Sequence, residues 1–201
     1  MQDTILNFSE KELLILQDTD FYLLKHSATK KIMDLLGHLE VGLKPLALNA
    51  GLSIHGLNAE SGKIFRGENY KGFPYIILDC PRLFHADSVF AFRSMFWWGH
   101  EFSFTLHLQG AALEGLREKL YEGIGLLKGQ GFYFCVNDNP WQYHFEESNY
   151  IMLDHRFEKS REEVMTKSFI KLSRRLKITE YQETELYGKQ SFELLLACLK
   201  K

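Results

Sequence analysis

The sequence predicts an α+β fold: a mostly antiparallel sheet of about five to seven strands, with helices from both termini and one central helix packed on it. Three observations lead there. Apolar residues recur every three or four positions near both ends of the chain, they alternate every second position in the middle, and the strand candidates cluster between the helical stretches. No glycine fingerprint follows a strand, which disfavours a doubly wound nucleotide-binding sheet. The expected organisation is a single domain over 1–201, with an N-terminal helical segment at 9–41, a sheet-rich middle at 63–153 and C-terminal helices at 158–200.

Phe8-Ser9-Glu10-Lys11-Glu12-Leu13 has the pattern of a helix start, in which Ser9 caps the first-turn amides and Glu12 reaches back. That helix is expected to end near Gln17. A second begins at Thr19 or Asp20, since Phe21, Leu24, Ala28, Ile32, Leu35 and Leu39 form one stripe, and Gly37 or Gly42 is expected to end it. Pro45 and the glycines at 51, 56 and 62 mark a connection with a short strand at 46–48, and place His55 and Asn58 in a loop. The polar run 66–72, RGENYKG, reads as a surface loop, and 73–79, FPYIILD, as a strand central in the sheet with Pro74 near its start.

The richest stretch is 63–110, where a quarter of the residues are aromatic against 14% for the chain. Phe102, Phe104, Leu106 and Leu108 alternate with Glu101, Ser103, Thr105 and His107, and Phe90, Phe92 and Phe96 show the same parity in the preceding run. Two such arms make an antiparallel hairpin. A one-residue slip would place rings from one arm on the polar face of the other, so matching the even positions sets Trp97 opposite Glu101 and Arg93 opposite Thr105. The loop is then Trp98-Gly99-His100, with a glycine free to take a positive φ.

After this hairpin, Ala112, Leu113, Leu116 and Leu120 predict an amphipathic helix ending near Gly123 or Gly125. Strands are expected at 131–136, 141–146 and 149–153, with Asn137-Asp138-Asn139-Pro140 as a turn. Residues 159–177 read as helical, with Met165, Phe169, Leu172 and Leu176 on one stripe. Phe192, Leu195, Leu196 and Leu199 predict a terminal helix.

Charge and composition narrow the function classes. Twenty-four Lys plus Arg against 26 Asp plus Glu leave a formal charge of −2, which gives no global attraction to nucleic acid or anionic membrane. Cys80, Cys135 and Cys198 are odd in number and far apart, which fits neither a disulfide framework nor a CxxC site. MQDTILNFSEKE lacks a basic, then apolar, leader, and no apolar run approaches the length of a bilayer span. A cytoplasmic protein without a membrane, metal or tight cofactor is expected.

The hairpin register brings Arg93, Trp97, Glu101, Ser103, Thr105 and His107 to one face. An arginine fork with hydroxyls and an imidazole beside an indole suits a small polar or anionic ligand. Three other functions follow from other residues. Phe96, Trp97 and Trp98 at the hairpin tip suggest self-association as a homodimer; Glu101 with His107 suggests proton transfer by an enzyme; and a basic helix at 167–177 suggests phosphate contacts, although the flanking acids disfavour nucleic acid.

Overall fold

The computed structural model describes residues 7–200. Its centre is one seven-stranded antiparallel sheet in the order β1-β2-β3-β4-β7-β5-β6. The strands are β1 (Lys63–Tyr70), β2 (Phe73–His85), β3 (Ser88–Trp97), β4 (Glu101–Gly110), β5 (Tyr133–Cys135), β6 (Tyr150–Met152) and β7 (Phe169–Lys177). The helices are α1 (Glu10–Gln17), α2 (Thr19–Ala50), α3 (Ala111–Glu114), α4 (Arg117–Gly123), α5 (Phe157–Thr166) and α6 (Thr184–Cys198). The α+β class and its antiparallel sheet are those the periodicities require.

The β3–β4 hairpin has the register that burial demands. Arg93 lies opposite Thr105 and Phe96 opposite Phe102, and Gly99 turns the chain at φ 75° while the His100 amide donates to Trp97 O at 3.1 Å. The even face carries the main core. Phe90, Phe92, Phe102 and Phe104 meet Leu36, Leu39 and Leu43 of α2 and Phe192 and Leu195 of α6, and Phe92 and Phe192 pack with ring centroids 4.6 Å apart. Burying each such side chain contributes about 1.5–3 kcal/mol.

Several elements depart from expectation for physical reasons. Helix α2 does not stop at Gly37 or Gly42; it continues through Pro45 to Ala50 and ends where Gly51 turns left-handed at φ 63°. Leu36, Leu39, Leu43 and Ala47 keep the spacing of three and four and are all buried, so packing overrides the breakers and no strand forms at 46–48. Residues 66–70 are strand rather than loop, because Arg66 and Gly67 pair with Ile76 and Tyr75. Strand β2 lies beside the edge strand β1 rather than at the centre, and it continues past Pro81 to His85. The central amphipathic helix is split into α3 and α4, followed by a 3-10 turn at Ile124–Leu127.

The largest correction concerns 167–177. Its residues 169–177 are β7, paired along their length with β4, so the expected C-terminal helices are interrupted by a strand. Strand parity sends Ile170, Leu172 and Leu176 to the helical core, while Lys171 is fully buried on the other face. The helical face that would align Lys167, Lys171 and Arg174 for phosphate binding is absent. Residues 141–146 are not a strand either, although Tyr143 is buried as the alternation expects.

Glycine separates close packing from free space in the helices. A Cβ at Gly188 would meet Leu39 Cδ1 and Phe104 Cε1 at 2.9 Å, whereas one at Gly37 meets nothing within 4 Å. Gly188→Ala is expected to cost about 1–3 kcal/mol in urea unfolding, and Gly37→Ala to gain about 0.5–1 kcal/mol. Equal effects at the two positions would contradict the packing of α6 on the sheet.

Candidate functional site

The odd face of the hairpin is also buried. Strand β3 is buried at every position, because the irregular segment 137–149 lies across this face as a strap. Backbone groups that a strand would pair with a neighbour are satisfied here by side chains. The Tyr143 and His144 amides donate to Tyr70 Oη at 2.7 and 3.2 Å, and Asn149 Nδ2 donates to His144 O at 2.6 Å. Lys171 Nζ donates to Pro140 O at 3.0 Å and to Gln142 O.

Beneath the strap lies a polar layer. Arg93, 8% exposed, grips Asp79 through Nε and Nη2 at 2.7 and 2.8 Å, and its Nη1 donates to Tyr143 Oη at 2.8 Å. Burial opposes the guanidinium charge, but the two-pronged carboxylate overrides it and pushes the Arg93 pKa above its ordinary value. Burial pulls the Lys171 ammonium down to about 8 and pushes the Tyr143 hydroxyl up to about 12. Thr105 Oγ1 and Ser173 Oγ share a hydrogen bond of 2.7 Å across β4 and β7.

His107 is 1% exposed and sits edge-on to Trp141 and Phe169. Among the described residues neither ring nitrogen has a hydrogen-bond partner of good geometry, and burial, then the Lys171 and Arg93 charges, pull its pKa down to about 3 against a weaker opposing pull from the Gln109 side chain. It is neutral at ordinary pH. Glu101 lies at the other end of β4, half-buried and 3.5 Å from Arg175, and its burial raises its pKa. Six residues along one strand separate Glu101 from His107 by about 20 Å. They therefore cannot act on the same atom, which removes the geometric basis for the carboxylate-imidazole pair.

The six residues expected to line a site do share this face, but they have different surroundings. Ser103, Thr105 and His107 are buried in the layer. Trp97 is stacked on His100 at 3.5 Å and donates to Tyr70 O at 3.2 Å. Phe96 packs on Phe102 and Trp98, so the hairpin tip carries no bare pair of indoles. Arg93 also reaches an open concavity, a groove of about 320 Å³ lined by Lys63, Phe65, Asp79, Arg82, Phe84, Arg93 and Trp141.

Register explains how the other groove residues arrive. Lys63 pairs with Asp79 and Phe65 with Ile77, so both face the side of Arg93. Between Asp79 and Arg82 the β2–β3 register shifts by one: Asp79 is opposite Arg93 and Arg82 is opposite Ala91. That irregularity turns Arg82 and Phe84 onto the face they would otherwise have left. The sequence signal for them was the run Pro81-Arg82-Leu83-Phe84, which an expected strand end at residue 79 concealed. A larger cleft of about 400 Å³ lies between the 51–56 loop and α3, with His55, His85, Asp87 and Ser88 among its lining residues. There the His85–Asp87 pair, 2.7 Å apart, is exposed on a turn and is held by no other side chain hydrogen bond among the described residues. Among the described residues no cluster of three or more His, Cys, Asp or Glu is arranged to hold a metal.

Comparison with protein-family models, with curated proteins and with solved structures finds no match to this chain. Its chemistry has to be read from its own residues.

Two outcomes test the layer. Asp79→Asn leaves the buried Arg93 without its carboxylate and is expected to cost about 3–5 kcal/mol in urea unfolding. A loss below about 1 kcal/mol would mean that the pair is solvated. For His107, the folded pKa lies below the unfolded value of 6.5, so the unfolded chain binds the extra proton. Its stabilising effect is whole above 6.5 and is lost as pH falls toward 3, at up to about 1.4 kcal/mol per pH unit. His107→Phe should flatten the fall in stability between about pH 7 and pH 5, with His144, also lowered by burial, contributing the same sign in both proteins.

Proposed function

We propose that this protein binds a small anionic ligand in the groove beside Arg93, and that it does so in the cytoplasm. The observation that carries the proposal is the charge imbalance at the groove. Lys63, Arg82 and Arg93 face one carboxylate, Asp79, and that carboxylate is already committed to Arg93. Cations that lack a local counter-charge at a concave site attract anions. Phe65, Phe84 and Trp141 supply flat apolar walls, with Arg82 lying 5.4 Å from the Phe84 ring centre. That combination suits a ligand with a carboxylate or phosphate and a planar or apolar body. Arg93, fixed by three hydrogen bonds, is preorganised and still has N–H groups to offer. Cys80 and Cys135 are buried free thiols, which accords with a reducing compartment. Among the described residues no helix is long and apolar enough to cross a membrane.

The groove, rather than the strapped layer, is the place where ligand chemistry should be sought. Calorimetry and thermal shift against a panel of small carboxylates and phosphates should find a binder. Lys63→Ala with Arg82→Ala, which leaves the Arg93–Asp79 hydrogen bonds in place, should weaken it by at least about tenfold. A panel with no binder, or an affinity that the double substitution leaves unchanged, would refute the assignment.

A further inference from the structure

Residues 7–24 are exposed along their whole length, yet nine of these side chains are large and apolar. Leu14, Leu23 and Leu24 are 70%, 63% and 71% exposed. Helix α1 buries none of its eight residues, and its apolar run at 13–16 goes round the helix instead of forming a stripe. A helix this short does not hold itself together in water. Its capping box, Ser9 with Glu12, and the Asp18 cap of α2 secure its ends without covering its sides.

We propose that this helical arm is covered by a second copy of the same chain, in a two-fold dimer whose arms pack antiparallel near Leu24. Exposed side chains of this number and size present on the order of 1,000 Å² of apolar surface, against about 800 Å² per partner in a standard interface. Charge supports the same pairing. Acids lie at Glu10, Glu12, Asp18 and Asp20, and exposed Lys30 and Lys31 follow one heptad after Leu23 and Leu24. An antiparallel crossing at Leu24 sets Asp18 and Asp20 of one protomer against the lysines of its partner. A lipid surface is the poorer fit, because Lys11 is the one cation in residues 8–24 against four acids, and interfacial helices carry a cationic polar face.

Sedimentation equilibrium of the full chain should give twice the chain mass. Leu14→Lys with Leu24→Lys should raise the dimer dissociation constant by at least about a hundredfold while leaving the melting temperature of the dilute protein unchanged, since both side chains are exposed. In the wild type, amide exchange of residues 10–24 should slow as protein concentration rises. A wild type that stays monomeric, a variant that dimerises equally well, or exchange that is independent of concentration would overturn the proposal. So would co-sedimentation of the monomer with phosphatidylserine-containing vesicles, which would assign the arm to lipid.

Discussion

A guanidinium and a carboxylate buried side by side set the conditions for the rest of the polar face. Bringing Arg93 and Asp79 out of water carries a desolvation cost of several kcal/mol per ion, and a single pair does not always recover it. Recovery here depends on geometry: two parallel bonds to Asp79, a third to Tyr143 Oη, and aromatic rings against the guanidinium plane, Tyr143 at 4.9 Å and Phe65 at 5.8 Å. The third bond brings in the strap, because Tyr143 belongs to it. A sheet face that would have been half-wet becomes an interior surface.

The strap in turn explains why irregular chain can lie over a sheet. An unpaired backbone amide or carbonyl buried there would cost about as much as a lost hydrogen bond, so each needs a partner. Tyr70, Lys171 and Asn149 provide those partners from β1, β7 and the strap itself. Lys171 is the extreme case. Its ammonium is fully buried, bonds two strap carbonyls and sits 4.2 Å from the Tyr143 ring centre, so an ordinarily solvated group becomes a structural clamp.

Much of the fold was legible because its determinants are local or set by parity. The Ser9–Glu12 box, the terminal helix and the β3–β4 register all follow from spacing within one or two elements. The misreadings share one cause: a distant partner overrides the local pattern. In β7, Arg174 interrupts the even apolar series, and its charge is met by Ser191 at 3.2 Å and by the Tyr187 ring of α6. In 141–146 the alternation is real, but side chains from other elements take up the backbone groups a strand would have paired. For the site, parity put six residues on one face without showing what covers it. Lys63 and Arg82 came into view only with the registers of β1 and β2.

Trp141 connects the buried layer with the groove. Its ring forms a wall of the groove and also lies 5.4 Å edge-on from His107, whose ring nitrogens hydrogen-bond no strap residue among the described residues. The strap at this point is therefore held by apolar contact and by the Lys171 bonds on either side of Trp141, to Pro140 and Gln142. A ligand bound against Trp141 would add its contact energy to the folded layer and none to the unfolded chain, and by linkage it would stabilise the layer to that extent. The same coupling runs in reverse: protonating His107 puts a charge beside Arg93 and Lys171 under the strap, and whatever loosens Trp141 in acid also takes a wall from the groove.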